Sequence, residues 1–223
     1  MATKRPIKRK KRAPEMIDAY DDDMNFIGAF VRPAVHYNKM WHKVAQCWII
    51  GLGPEGPRVF LQRRSFEKKS NPGRYDVSAG GHVSAGEEPK TAMVREIQEE
   101  TGLILKEHHL IEVGTCKEVS GHDREIAHIF VHFEIDPPFY PGKEVIYMVS
   151  ADLEDFKALS EGTAESITVV PAIRTGPMEQ EAFVVNQDNF CNHENFVTMV
   201  YPYVKKYIAE YGFQPGGISK EKL

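Results

Sequence analysis

The pattern of apolar and polar residues predicts short β-strands in the first part of the chain. Three segments have the apolar character of strands: Val44–Ile50, Arg58–Leu61 and Tyr75–Ala79. The turn-rich stretch Gly51–Pro57 separates the first two, so they predict a β-hairpin. Ser65–Gly73 is polar and predicts a loop, and the third strand is expected to end at Gly80-Gly81.

Later in the chain, strands are predicted to alternate with helices. Further strands are expected at Ile126–Ile135, Val145–Val149, Ile167–Val170 and Phe183–Val185. Ile126–Ile135 is apolar and β-branched enough for a central strand, and we expect Val145–Val149 to be its partner. Apolar residues spaced by three and four predict helices over Glu87–Thr101, near Leu153–Leu159 and, as one long helix, over Asn189–Tyr211. Strands that surround one helix and are closed by another predict an α/β fold with a mixed sheet between helical layers.

The charge of the chain is unevenly distributed. Seven of the nine residues from Lys4 to Arg12 are lysine or arginine, so the formal net charge of −4 becomes −11 when these seven positive charges are left out. Residues 1–14 lack apolar periodicity and predict a disordered basic tail, and residues 15–223 predict one acidic domain. An acidic body argues against a folded nucleic-acid surface, so contact with nucleic acid is expected only through the tail.

Composition also bounds the compartment. No apolar run approaches the roughly 18 residues that cross a bilayer, and none follows the basic N-terminus, so neither a membrane span nor a secretory signal is expected. The three cysteines, Cys47, Cys116 and Cys191, are widely spaced and odd in number. We interpret them as small buried apolar residues in a reducing compartment. A cytoplasmic location is expected, with the nucleus as the alternative because of the basic run.

The helix over Glu87–Thr101 carries the residues with the clearest chemistry. Glu96, Glu99 and Glu100 are spaced i, i+3 and i+4, so their carboxylates share one face. The opposite side has the apolar residues that would pack against a sheet: Met93, Val94 and Ile97. Like charges at this spacing repel each other, and a divalent cation removes that cost. Several carboxylates can hold more than one ion, which would clamp a diphosphate and activate a water.

The loop before this helix completes the pattern. Gly80-Gly81 allows a sharp turn and a close approach to a ligand, and a backbone carbonyl there could join a metal site. Arg95 is placed to pair with Glu99 or Glu87 and thereby to orient the acids.

The stretch Gly81–Leu103 resembles the Nudix box, G-x5-E-x7-R-E-U-x-E-E-x-G-U, in which U is an apolar residue. In this chain, five residues separate Gly81 from Glu87, and seven more separate Glu87 from the continuous segment Arg95–Leu103. All nine specified positions match. The resemblance implies an α/β/α sandwich with the box as loop-helix-loop, and Mg²⁺- or Mn²⁺-dependent hydrolysis of a phosphoanhydride bond in a nucleoside-diphosphate-linked small molecule. It also allows a homodimer.

The resemblance further implies roles for individual residues. Glu96, Glu99, Glu100 and the Gly81 carbonyl would hold the metal, with Glu87 and Arg95 as a supporting pair. The proton acceptor would be Glu96, Glu100 or, from a loop beyond the central strand, Glu144. Candidate substrate contacts are the cations before the box and the histidine inside it: Arg63, Arg64, Lys68, Lys69, Arg74 and His82.

The region before the box also resembles a Nudix branch related to isopentenyl-diphosphate isomerases. The resemblance rests on Phe26-Ile27-Gly28, Arg32, His36, His42, Leu61–Ser65, Lys68, Pro72-Gly73 and Gly81-His82. Those isomerases bind a metal through three histidines, which would correspond to His36, His42 and His82. They also keep a cysteine where this chain has Gly80, and their box tends to be degenerate. Hydrolysis is therefore the primary hypothesis, an isomerase-like enzyme with a His/Glu metal site is the first alternative, and an inert binding or regulatory protein is the second.

Overall fold

A computed structural model describes residues 14–121, 123–172, 181–191 and 194–216. The predicted basic tail, 1–14, lies outside these residues apart from Pro14. In the described part of the chain, no helix is both long and apolar enough to cross a membrane.

The described residues form eleven strands and several helices. The strands are Met16–Tyr20 (β1), Phe26–Val31 (β2), Trp41–Gly53 (β3), Gly56–Arg64 (β4), Tyr75–Asp76 (β5), Ala79–His82 (β6), Ile111–Ser120 (β7), Asp123–Phe133 (β8), Val145–Asp152 (β9), Ser166–Pro171 (β10) and Phe183–Asn186 (β11). The α-helices are Arg32–Tyr37 (α1), Pro89–Thr101 (α2), Leu153–Ser160 (α3) and Tyr201–Tyr211 (α4). Single 3₁₀ turns lie at Glu107–His109 and Gln187–Asn189, and a π-helical turn lies at Phe196–Val200.

The strands form one mixed sheet, as predicted. Its main path is β11-β10-β9-β4-β3-β1-β2, and β8 runs parallel to β3 while the other ladders are antiparallel. The predicted hairpin is confirmed by β3 and β4. The predicted pairing of Val145–Val149 with Ile126–Ile135 is wrong: β9 pairs with β4 and β10, and β8 lies between β3 and β7. An apolar run shows that a strand is buried on both faces, but not which strand lies beside it.

Helices cover both faces of the sheet, which confirms the α/β/α sandwich. Trp48 and Ile50 of β3 point into the core beneath α3 and the C-terminal helical segment. Cys47 and Ile49 point the other way, into the core beneath α2. The alternation follows from the two-residue period of a strand. Cys47 is fully buried as expected, whereas Cys116 and Cys191 are only partly buried, which corrects that prediction for both.

Two boundaries differ from the predicted ones around the box. Instead of one strand over Tyr75–Ala79, β5 pairs with β4 and β6 pairs with β3. Ser78 lies at this crossing: its hydroxyl donates to the Phe60 carbonyl and accepts from the Ile49 N–H at 2.7 Å. Helix α2 begins at Pro89, so Glu87 lies in the preceding turn rather than in the helix.

The long C-terminal helix is shorter and less regular than predicted. The described helical segment begins at Glu194 rather than Asn189, and it passes through the π-helical turn Phe196–Val200 before α4. Pro202 explains the irregularity, because proline lacks an N–H and its ring clashes with the carbonyl four residues earlier.

Candidate active site

The Gly80-Gly81 turn brings β6 directly against α2. A Cβ atom on Gly81 would lie 2.6 Å from Oε2 of Glu96 and would overlap the rest of that carboxylate as well. Only glycine therefore allows the backbone of β6 to approach Glu96 this closely. The Gly81 backbone and the Glu96 carboxylate therefore lie directly against each other.

Glu100 is the most buried acid of the site, with 3% of its surface exposed. Its Oε2 accepts hydrogen bonds from the Gly80 N–H and from Nε2 of Gln62, both at 2.9 Å. Burial raises the pKa of Glu100 to about 7, and the hydrogen bonds to Gly80 and Gln62 oppose this rise only in part. Gln62 was not among the predicted site residues, although its position as a polar residue inside the apolar strand β4 was a signal for it.

Arg95 connects the loop and the helix. Its guanidinium donates to Glu87 at 2.9 and 3.2 Å, to Glu96 at 2.5 Å and to the His82 carbonyl at 3.1 Å. Of the two predicted partners, Glu87 is correct, and Glu96 takes the place of Glu99. The hydrogen bond from Arg95 lowers the pKa of Glu87 against the effect of burial. Arg95 therefore holds the acids in position.

Glu144 reaches the site because its loop packs on the C-terminal end of α2. The Tyr140 N–H donates to the Thr101 carbonyl at 2.8 Å, and the Gly142 N–H donates to the Glu100 carbonyl at 3.2 Å. Burial raises the pKa of Glu96, and the carboxylates of Glu99 and Glu144 add to this rise while Arg95 opposes it. Four acids thus gather at one end of α2, although Glu99 itself is exposed.

Among the predicted cations, Lys68 lies nearest to the acids. Its ammonium group forms an ion pair with Glu144, and this hydrogen bond lowers the pKa of Glu144. The neighbouring arginines are engaged elsewhere: Arg64 pairs with Asp76 at 2.6 Å, Arg63 stacks over the Tyr75 ring at 4.6 Å, and Arg74 donates to the Phe190 carbonyl at 3.1 Å. Lys69 lies in the same loop, exposed to solvent.

The three histidines also come together. His36, His42 and His82 each offer a ring nitrogen, and these atoms all lie within 4.8 Å of one another. Nε2 of His36 is 3.0 Å from Nε2 of His82, and the rings of His42 and His82 stack at 5.2 Å. Burial lowers the pKa of His82 to about 2 and also lowers that of His42, so both rings are neutral and able to bind a metal.

Two acids of β8 that were not among the predicted site residues face this histidine cluster. Asp123 Oδ1 lies 2.5 Å from Nδ1 of His36. Glu125 Oε1 lies 3.9 Å from Nε2 of His42, which has no hydrogen-bond partner among the described residues. Burial raises the pKa of Glu125 to about 7, with a further rise from Asp123. The sequence carried a signal for this pair: Asp123 and Glu125 are two residues apart at the start of an apolar strand, so their side chains lie on the same face of the sheet.

The family model described as "NUDIX domain" matches residues 42–167, more than half of the chain. The chain belongs to the Nudix family. The comparisons support a hydrolase enzyme.

Relatives of this Nudix protein include Nudix hydrolases and isopentenyl-diphosphate isomerases. An uncharacterized Nudix hydrolase of Clostridium acetobutylicum is 29% identical over 207 residues, which cover 86% of this chain and 94% of that protein. An isopentenyl-diphosphate Delta-isomerase of Photorhabdus laumondii is 26% identical over 159 residues, covering 69% and 89%. Among solved structures, a protein of Deinococcus radiodurans aligns with a TM-score of 0.53 at 21% identity, covering 65% of this chain and 87% of that one, and supports the fold.

Proposed function

We propose that this enzyme hydrolyses a phosphoanhydride bond in a diphosphate-linked small molecule and depends on Mg²⁺ or Mn²⁺. One observation carries the proposal: Glu100 is a buried carboxylate whose hydrogen-bond partners in the described structure, Gly80 and Gln62, are both neutral. A buried anion without a cation is costly, and Glu96 beside it increases the cost. A divalent cation at this place offsets both.

The donor set fits such an ion. Glu96, Glu99, Glu100 and the carbonyl of Gly81 supply hard oxygen ligands, which Mg²⁺ and Mn²⁺ prefer. When bound, the ion lowers the pKa of a coordinated water and neutralises charge on the diphosphate. Arg95 contributes by fixing Glu96 and Glu87, so it is a positioning residue rather than a substrate contact.

Glu144 is the proposed proton acceptor for the attacking water. Glu100 already accepts two hydrogen bonds, and Glu96 is held by Arg95, whereas about half of the Glu144 side chain is exposed. In this structure the hydrogen bond from Lys68 lowers the pKa of Glu144. A bound diphosphate offers Lys68 a more highly charged partner, and release of Lys68 would make Glu144 more basic at the moment of attack.

The histidine cluster supports a second candidate, an isomerase-like enzyme. His36, His42 and His82 converge on one point, and Asp123 and Glu125 stand beside them, which is a donor set for a transition metal. Isomerisation of an alkene additionally needs an acid on the other side of the double bond. This chain has Gly80 where the related isomerases have a cysteine, so hydrolysis remains the primary proposal.

Glu99→Gln is the variant that tests the hydrolase. Wild-type protein and the variant are incubated with a panel of nucleotide sugars, dinucleotides, nucleoside diphosphates and isopentenyl diphosphate, with Mg²⁺ or Mn²⁺, and products are separated by chromatography. We expect turnover of at least one phosphoanhydride by the wild type and a fall of orders of magnitude in the variant.

Glu88→Gln is the matched control, because Glu88 lies at the start of the same helix, is exposed and makes no capping hydrogen bond. It removes the same charge and should keep wild-type turnover. Equal activity of Glu99→Gln and Glu88→Gln would refute the metal-site assignment. No product from any phosphoanhydride with either metal would refute the hydrolase.

A further inference from the structure

A buried glutamine in strand β4 has no assigned part in the reaction proposed above. Gln62 is 1% exposed and ends the buried run Val59–Gln62, whose other members are apolar core residues. It comes two residues after Phe60, so both side chains are on the sheet face that packs beneath α2. Glutamine is rarely buried to this degree, because its amide must then find partners inside the protein. An apolar residue would suit this strand better.

The division of the β3–β4 hairpin brings Gln62 to the acids. Backbone pairing between β3 and β4 extends as far as Ile49 and Phe60. From there β3 pairs with β6, and β4 pairs with β5. At the point of division, the Ser78 hydroxyl accepts from the Ile49 N–H and donates to the Phe60 carbonyl. Gln62 follows this point, and its side chain reaches Glu100 of α2.

The amide of Gln62 forms one hydrogen bond among the described residues, and it goes to Glu100. Its Nε2 donates to Glu100 Oε2 at 2.9 Å. Its Oε1 is buried and has no hydrogen-bond partner in the described part of the chain. Exchanging the oxygen and nitrogen of the amide would place an oxygen against the Glu100 carboxylate, so the orientation is fixed by charge. Because a buried acceptor without a partner lowers stability, Gln62 costs the fold stability and serves Glu100 alone.

Gln62 and Gly80 hold the same oxygen of Glu100. The Gly80 N–H also donates to Oε2 at 2.9 Å, whereas no described residue donates to Oε1. Each carboxylate oxygen has about two acceptor positions, so Oε2 is filled and Oε1 is not. Two hydrogen bonds to one oxygen also restrict rotation of the carboxylate about its last carbon–carbon bond.

We infer that Gln62 is a positioning residue of the metal site: with the Gly80 N–H, it fixes the Glu100 carboxylate so that Oε1 is the oxygen left for the divalent cation. The inference rests on the proposed function for the place of the cation. A ligand that is already oriented loses less freedom on binding, and removing a hydrogen-bond partner of a metal ligand typically weakens metal binding by about 10- to 100-fold.

The Mg²⁺ dependence of folding stability tests this inference without any substrate. Gln62→Met keeps the length of the side chain and removes its N–H donors. The free energy of unfolding of the full-length protein is measured by denaturant titration at a series of Mg²⁺ concentrations, and its rise gives the dissociation constant. Mg²⁺ is used because a histidine cluster favours transition metals. We expect Gln62→Met to raise the dissociation constant of Mg²⁺ about tenfold.

Gln98→Met is the matched control, because Gln98 is exposed and lies on the same helix two residues before Glu100. It should keep the wild-type dissociation constant. The free energy of unfolding in EDTA separates binding from folding, since a merely structural Gln62 would change this stability and leave the dissociation constant at the wild-type value. Gln62→Leu replaces Gln62→Met if the latter does not fold, as judged by circular dichroism.

NMR reports on the hydrogen bond itself. The Nε2 protons of Gln62 should exchange slowly with solvent, and they should stay protected, with shifted resonances, when Mg²⁺ binds to the wild type. Sequential assignment identifies these resonances, and their loss in Gln62→Met confirms the assignment. If neither apolar variant folds, the protection measured in the wild type decides alone.

Two results would overturn the role of Gln62. One is a dissociation constant within about twofold of the wild-type value in an apolar variant that folds. The other is loss of protection of the Gln62 amide when Mg²⁺ binds. A wild type that Mg²⁺ does not stabilise would overturn the proposed metal site and this inference together. A wild type that binds Mg²⁺ but hydrolyses nothing in the substrate panel would count against the proposed function and leave the role of Gln62 standing.

Discussion

Replacing Glu100 by glutamine is expected to stabilise the metal-free protein at neutral and alkaline pH while removing its activity. The carboxyl of Glu100 is 3% exposed, and burial raises its pKa from 4.5 to about 7. An acid whose pKa is raised by folding stabilises the protein below its unfolded pKa and loses that contribution as the pH rises through its folded pKa. For this shift the loss is about 3 kcal/mol between pH 4.5 and pH 7.

Glutamine keeps an oxygen for the hydrogen bonds from Gly80 and Gln62 but cannot ionise. The free energy of unfolding in EDTA, measured by denaturant titration at pH 5 and pH 8, should therefore fall less for Glu100→Gln than for the wild type, by about 3 kcal/mol. Saturating Mg²⁺ should stabilise the wild type, by about 2.7 kcal/mol at one hundred times the dissociation constant, and the variant much less. Turnover of the best substrate should fall about a thousandfold, because a metal ligand supports several kcal/mol of transition-state stabilisation.

The Glu88→Gln variant again serves as the control and should match the wild type at both pH values and in Mg²⁺. If Glu100→Gln and the wild type lose the same stability between pH 5 and pH 8, Glu100 is not the costly buried anion that we describe. Wild-type turnover in Glu100→Gln would remove it from the metal site.

Three further predictions concern the turn, the chemistry and the tail. Gly81→Ala should lower kcat about 100-fold in steady-state kinetics, because the new Cβ displaces the Glu96 carboxylate. A variant with wild-type activity would contradict the close approach of the Gly81 backbone to Glu96. Isopentenyl diphosphate should not become dimethylallyl diphosphate with this protein, since Gly80 replaces the isomerase thiol; proton NMR showing the allylic product at an enzymatic rate would instead favour the isomerase. Deleting residues 1–12 should leave kcat and the unfolding temperature unchanged and should alter only localisation or the salt-sensitive binding of polyanions. A fall in kcat on a small diphosphate substrate would instead mean that the tail acts at the active site.

The sequence by itself determined the family, the class of fold and the placement of three acids on one face of one helix. The spacing of Glu96, Glu99 and Glu100 on one helix, and the glycine needed at position 81, are local properties that a linear pattern contains. For the same reason α2, its cap at Gly102 and the hairpin of β3 and β4 could be predicted. Strong periodicity and turn chemistry both act over a few residues.

Tertiary structure alone decided which residues stand around those acids. Gln62 reaches Glu100 only because β4 lies beside β3, and Glu144 reaches the site only because its loop packs on the end of α2. Contacts between distant segments likewise decide the partner of β9 and bring Asp123 and Glu125 to the histidines. They also bring Asn195 to Glu118. A strand's own residues specify its burial but not its neighbour, because the backbone hydrogen bonds that join strands are the same for every sequence.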